Sequence, residues 1–454
     1  MSDVIAALGG SAWAVIWAGF FFIIALSIIV AVHEYGHYIV GRWTGIHAEV
    51  FSVGFGKVLL SRTDKRGTKW QIAAIPFGGY VKFLGDADAS SVRSAETAGL
   101  SADERRHTMA GAPLWARAAT VAAGPLANFI LTFVVLVIMG LVIGIPDGQP
   151  RVERALPLPY EGQMLQDGDV ILAVNGLEID SLRALSQLAN GNGDARDAVL
   201  PETPTVDWTV ERAGQVITFP GPHPAPAMVN SVQVKSAAVD AGVRSGDVII
   251  EADGNPITTF MQLREIVTGS GGKPVPLTVW RDGTATEMVL TPRQRDIPQP
   301  DGSFKTEWLM GISQGLIFEP GTRRGGLGES VTGAFNQMWG ITTGTFSGLY
   351  HMVAGRLSTC NMSGVIGMAD ALGDAAKVGP EAFFSLFAII SFGIGLLNLF
   401  PIPVLDGGHL VFHAYEAVAR RPPSDRALQV LMSIGLTLLL SLMAFALLQD
   451  LICV

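Results

Sequence analysis

At 454 residues, 49% hydrophobic and only 16% charged, the chain is too apolar for an ordinary soluble protein and long enough for several domains. A formal net charge of −9 supplies no basic face for nucleic acid, and no stretch resembles a phosphate-cradling loop. Cys360 and Cys453 lie far apart in or beside apolar segments, so neither a disulfide framework nor a cysteine-based zinc site is implied.

Four uncharged runs, Val4 to Val32, Ala118 to Pro146, Ala382 to Leu405 and Ala427 to Gln449, match or exceed the roughly 20 apolar residues that cross a bilayer. The first follows a Met-Ser-Asp leader without Lys or Arg and is longer than a signal-peptide core, so it is expected to be retained. Basic residues are absent before it, dense from Arg42 to Arg106, and present again at Arg420, Arg421 and Arg426. The excess of Lys and Arg in cytoplasmic loops then predicts an external N-terminus, an external region starting at 147, and a cytoplasmic loop around 420.

The first run ends in Val32-His33-Glu34-Tyr35-Gly36-His37. Helical positions four apart share a face, so His33 and His37 can direct imidazole nitrogens at one Zn²⁺, with Glu34 beside them as general base. This is the H-E-x-x-H arrangement of zinc metallohydrolases. Polar, proton-active groups at that depth are costly and therefore read as functional.

Residues 50–84 read as strands: Val50 to Gly56 and Trp70 to Ile75 flank a polar turn at 62–67, followed by Pro76 to Phe83 as a further extended piece. Such a sheet is either a plain membrane-hugging hairpin or an edge to which an extended peptide adds as a strand. Residues 86–112 are polar and Ala/Ser-rich, the composition of a mobile loop. In the second run, Gly124 and Pro125 are expected to open the helix locally. Asn128 is placed either to hydrogen-bond a substrate carbonyl or the metal-bound water, or to join two helices.

The outer region repeats itself. Leu165 to Gly176, built around Gly168-Asp169-Val170-Ile171, recurs as Val243 to Gly254 around Gly246-Asp247-Val248-Ile249, 246 − 168 = 78 positions later. Each copy reads as strand, turn, helix and strand, and resembles a circularly permuted PDZ domain; PDZ domains capture peptide ends by strand addition. Over 327–357, Val331, Phe335, Met338, Trp339 and Thr342 fall at helical spacing, predicting an amphipathic helix along the outer surface. The third run closes with Asn398-Leu399-Phe400-Pro401-Ile402-Pro403-Val404-Leu405-Asp406-Gly407-Gly408-His409, where two prolines break the helix and aim a side chain inward. Asp406 is the expected third ligand and His409 the competing one.

The predicted architecture is thus a multi-pass α-helical membrane protein with four membrane helices, a membrane-associated β-hairpin or sheet, and two permuted PDZ-like α+β domains. In order it has a first membrane helix (1–48), the β region (49–85), a cytoplasmic loop (86–114) and a second membrane helix (115–146). The PDZ-like domains (147–222 and 223–318) follow, then a peripheral helix with linker (319–380), the third span (381–410), and a loop with the fourth span (411–454).

Taken together, His33-Glu34-Tyr35-Gly36-His37, Gly54-Phe55-Gly56, Gly78-Gly79-Tyr80-Val81-Lys82, Gly124-Pro125 with Asn128, the tandem repeat, and Asn398 through Leu405-Asp406-Gly407-Gly408 make the chain resemble the site-2 protease family over nearly its whole length. The resemblance implies a bacterial inner-membrane enzyme, its PDZ domains periplasmic and its active site toward the cytoplasm. It would hydrolyse single-pass membrane substrates of the anti-sigma-factor kind after another protease has trimmed them, releasing a stress signal. It also implies Zn²⁺ held by His33, His37 and Asp406, Glu34 as base, and substrate contacts at Asn128, Asn398, Gly78, Gly79 and Tyr80. One departure is Gly393, where related chains often carry a second Asn. The competing class is a membrane-anchored PDZ scaffold with a structural zinc; a transporter would need more intramembrane carboxylates or histidines than the runs contain.

Overall fold

The computed structural model describes residues 2–85, 101–146, 148–159, 165–189, 200–201, 203–233, 236–298, 304–354 and 364–452. Two compact units divide the chain: Met1–Met139 with Leu327–Ser347 and Thr359–Val454, and Gly140–Gly326 with Gly348–Ser358.

The first unit opens on α1 (Ser2–Trp43). Strands β1 (Ala48–Thr63) and β2 (Lys69–Phe83) follow, joined by a turn in which Asp64 accepts from the Arg66 and Thr68 backbone N–H groups. The predicted further piece is not a separate strand but the end of β2. Ser52 pairs with both Gln71 and Tyr80, while Ser61 also pairs with Gln71, so the two bent strands make four antiparallel segments in the order 58–63, 69–73, 50–53, 79–83. Gly54 and Gly56 permit the bend with φ of 91° and 84°, and a Cβ on Gly54 would lie 2.9 Å from two backbone carbonyls. The expected loop at 86–112 is only partly one. Residues 86–100 fall outside the described set, and Ala102–Arg106 forms a short helix, α2, closed by a capping box between Ser101 and Glu104. Helix α3 (Leu114–Val142) runs unbroken through Pro125, against the expectation that this segment opens.

The second unit holds the repeat. Strands β3 (Ile145–Pro146), β4 (Val152–Ala155), β5 (Val170–Val174) and β6 (Leu177–Glu178), helix α4 (Leu182–Ala189), and strands β7 (Thr205–Arg212) and β8 (Gln215–Pro222) make the first copy. The second copy has β9 (Val229–Val232), α5 (Ala237–Asp240), β10 (Val248–Ala252), β11 (Asn255–Pro256), α6 (Phe260–Gly269), β12 (Val275–Arg281) and β13 (Thr284–Leu290). A hairpin, β14 (Arg293–Pro298) and β15 (Phe304–Leu309), and β16 (Ile312–Gln314) complete it. Each copy builds one four-stranded sheet, β6-β5-β7-β8 or β11-β10-β12-β13.

The duplication reaches individual atoms. The Val152 N–H donates to Asp169 O and the Val229 N–H to Asp247 O, both at 2.8 Å. Buried Asp169 takes a two-pronged ion pair from Arg212, and buried Asp247 one from Arg281, with N···O distances of 2.6–2.7 Å.

The predicted boundary at 318 is corrected by the pairing that follows. Strand β17 (Phe318–Pro320) runs antiparallel to β4, and β18 (Thr322–Arg323) to β3, so the chain returns to the first copy after completing the second. Ile317 and Phe318 lie in the same buried cluster as Trp208, Ile171 and Leu185. The second module is therefore inserted into the first. Phe318→Ala should remove about 3–5 kcal/mol from the first module. Limited proteolysis would show new cleavage there while the second module stays resistant; equal resistance of both would contradict the insertion.

The chain then re-enters the first unit as α7 (Leu327–Val353), the amphipathic helix expected from spacing, whose Ala334 packs with Leu136 and Ala388. Where a linker was predicted, a helix α8 (Val365–Val378) forms instead. It presses Gly373 onto Ala18 and accepts from Trp17 Nε1 at 3.2 Å. The predicted third span, 381–410, is two helices: α9 (Pro380–Asn398) and α10 (Asp406–Ala419). The last helix is α11 (Asp425–Ile452), whose Asp450 caps α8 by accepting from the Gly364, Ile366 and Gly367 N–H groups. Residues 15–43 of α1, together with α3, α9 and residues 425–451 of α11, are long and apolar enough to cross a membrane.

Candidate active site

The last turns of α1 bring His33 and His37 to one face, their Nε2 atoms 3.2 Å apart. Asp406 comes from the first turn of α10. The chain between α9 and α10 can turn this tightly because Gly407 and Gly408 carry no side chain; a Cβ on either would sit 2.3 Å from a carbonyl oxygen of the Leu399–Ile402 segment. Asp406 Oδ2 ends 3.1 Å from His33 Nε2 and 3.5 Å from His37 Nε2. Asp406 does not cap its helix, since the N-cap position is Leu405.

The second ring nitrogens are occupied. His37 Nδ1 lies 2.8 Å from the Thr120 carbonyl of α3, so it donates there and leaves the Nε2 lone pair facing the cluster. His33 Nδ1 faces the side-chain amide of Asn128 at 3.3 Å. Asn128 is fully buried and its Oδ1 lacks a partner. A half-turn of the amide brings Oδ1 to His33 Nδ1–H and gives both imidazoles the same tautomer. Asn128 thus stands against His33 Nδ1 and is not among the residues that line the cavity opening on the cluster.

Three donor atoms within 4.8 Å of one another, two of them imidazole lone pairs facing a buried carboxylate oxygen without a hydrogen bond, fit a divalent cation. Gly124 makes room: a Cβ there would lie 2.2 Å from His37 Nε2 and 2.8 Å from His33 Nε2. His409, the competing candidate, is not part of the cluster.

A cavity of about 1150 Å³ opens on the cluster, lined among others by Glu34, Tyr80, Asn398 and His409. Glu34 receives a backbone hydrogen bond from Val81, and the approach is close because position 79 is glycine, whose added Cβ would stand 3.3 Å from Glu34 Cγ. Tyr80 stacks on Phe55 and takes a hydrogen bond from Gln71 at 3.1 Å, and Gly78 has a φ of 144° with its α-carbon against the Phe55 ring. The far end of α10 is tied to α3 by the paired Arg117–Glu416 hydrogen bonds at 3.0 and 2.7 Å. No residue pattern announces that tie or the Thr120 carbonyl, and the role of Gly124 is signalled only by a small residue one turn before Asn128.

Membrane-length helices carrying a His-Glu-x-x-His segment and an Asp at one metal-sized cluster define a membrane-embedded metallohydrolase. Residues 21–442 match Peptidase family M50, and the chain belongs to that family, the site-2 proteases. It is 34% identical to the Agrobacterium fabrum protein Atu1380, whose name is that of a zinc metalloprotease, over 94% of both chains. It is 35% identical to the regulator of sigma-E protease RseP of Salmonella typhimurium strain 14028s, over 96% of this chain and 98% of that one. Identity to the Escherichia coli K12 protein of the same name is 33%, over 94% and 97%. The chain is a zinc metalloprotease.

Proposed function

We propose that the protein cleaves single-pass membrane proteins within the bilayer, with zinc held by His33, His37 and Asp406 and with Glu34 as general base. The observation that carries this reading is the convergence of the three donor atoms beside Glu34 at the end of a membrane-length helix. Bound zinc supplies Lewis-acid activation of a carbonyl and of water. Glu34 takes a proton from the attacking water and returns it to the leaving amine. Thr120 O and Asn128 hold the two imidazoles in the donor tautomer, and Asn398 and Tyr80 face the substrate from the cavity wall.

A helical substrate must unwind before its carbonyl is reachable. The 79–83 segment of β2 is the last in its sheet and lies against Glu34, so an extended substrate adding to that edge would present its peptide bonds to the base. The repeated modules act as PDZ domains that bind peptide ends or filter substrates outside the membrane. With relatives named regulators of sigma-E protease, an anti-sigma factor in a bacterial inner membrane is the proposed substrate.

Asp406→Ala should lower bound zinc, read by metal analysis of the purified chain, by on the order of tenfold or more, and abolish cleavage of a synthetic transmembrane peptide. Full zinc occupancy in that variant would remove Asp406 from the ligand set.

A further inference from the structure

Away from the catalytic cavity, a second cleft of about 550 Å³ is bordered by Arg42, Gly45, Ile46, His47, Leu84, Glu104 and His107. It lies where α1 leaves its apolar span, beside Trp43, which is 75% exposed. An exposed Trp at that boundary marks the headgroup level of a bilayer. The Arg42 guanidinium and the His47 ring have no side-chain hydrogen bond or ion pair among the described residues, and Arg105 and Arg106 follow on α2. Among the described residues the acid at the rim is Glu104, whose carboxylate accepts from Ser101 N and Oγ, both at 2.8 Å, hydrogen bonds that hold it below the usual carboxylate range. The floor is fixed by backbone: the His47 N–H donates to His107 O at 2.9 Å, and His107 Nδ1 donates to Gly45 O at 2.7 Å.

A concave, membrane-level site where, among the described residues, the Arg42 guanidinium has no acidic partner, Arg105 and Arg106 stand close by in the chain and the Glu104 carboxylate is engaged by Ser101 suits an anion. We propose that this cleft binds a phosphate-ester anion through Arg42 and His47, the phosphate being that of an anionic phospholipid headgroup. The bound phosphate would bridge the end of α1 to α2. Because Arg105 and Thr108, on either side of His107, also line the catalytic cavity, the ligand would steady one wall of that cavity.

The test uses the full chain purified in detergent and mixed micelles containing phosphatidylglycerol or phosphatidylcholine, with retained lipid counted by native mass spectrometry. Wild type should keep a phosphatidylglycerol adduct, and Arg42→Gln or His47→Gln should each lower its retention about fivefold. Arg62→Gln, which removes the same charge from the exposed β-hairpin, should leave it unchanged. Equal retention in Arg42→Gln and wild type, or an equal fall in Arg62→Gln, would overturn the site. If inorganic phosphate binds with the same Arg42 dependence while phosphatidylglycerol does not, the anion site stands and the lipid source is overturned. Unaltered thermal unfolding of each variant separates lost binding from lost folding.

Discussion

Replacing Glu34 by Gln is expected to lower cleavage of a transmembrane peptide by a factor of roughly 10³, within the usual range for removing a general base, while zinc content stays at the wild-type level. The amide has the size and shape of the carboxylate and can keep the hydrogen bond from Val81, so the sheet should not shift. The side chains placed to hold the metal are His33, His37 and Asp406, so Glu34→Gln removes none of those donor atoms. What disappears is the capacity to hold a proton between attack and departure. Turnover equal to wild type at full zinc would remove Glu34 from the chemistry. A parallel loss of zinc would instead make it a structural partner of the cluster. The two readouts together also separate a protease from a scaffold that merely binds zinc, because a scaffold would show no wild-type cleavage to lose.

The pieces of this site differ in how far they could be read from residues alone. His33, Glu34 and His37 were legible because their relation is local: helical spacing puts two of them on one face, and their cost in hydrocarbon argues against accident. Asp406 is the expected third donor because the two prolines before it announce where the span breaks, and the structure brings it beside both imidazoles. The ion pairs of Asp169 with Arg212 and Asp247 with Arg281 were half-visible. Both copies have an Arg just before a turn, Ala213-Gly214 or Asp282-Gly283, in which both residues have positive φ. The return of Ile317 and Phe318 to the first module was not visible, because β4 and β17 are more than 160 positions apart and two apolar residues fit either core equally well. Helix α8 lies in the segment expected as linker although Val365, Met368 and Leu372 fall at helical spacing, and its Gly373 makes sense only against Ala18. The Thr120 carbonyl leaves no trace in composition at all, being backbone.

Gly124 is the position where local preference and function pull in opposite directions, and Gly124→Ala exploits that. In the interior of a helix, alanine is favoured over glycine by about 1 kcal/mol, so helix propensity alone predicts a slightly more stable protein. The structure predicts a damaged metal site, because the new methyl would stand 2.2 Å from His37 Nε2 and 2.5 Å from Cε1. The helices have little room to part: on the neighbouring turn, a Cβ on Gly36 of α1 would already lie 2.3 Å from Ala123 O and 2.7 Å from the Ala127 methyl of α3, the close packing of small residues that fixes helix separation in membranes. The ring must therefore swing out, breaking its bond to Thr120 O and misdirecting the Nε2 lone pair. Zinc affinity measured against a competing chelator is expected to fall on the order of 10–100-fold, the usual loss when the group that orients a ligand is removed. Thermal unfolding of the zinc-free protein should be unchanged or slightly raised. Wild-type zinc affinity in this variant would mean that the two imidazoles and Asp406 do not share one ion, and a falling unfolding temperature without metal would mean that the methyl is accommodated by moving helices rather than His37.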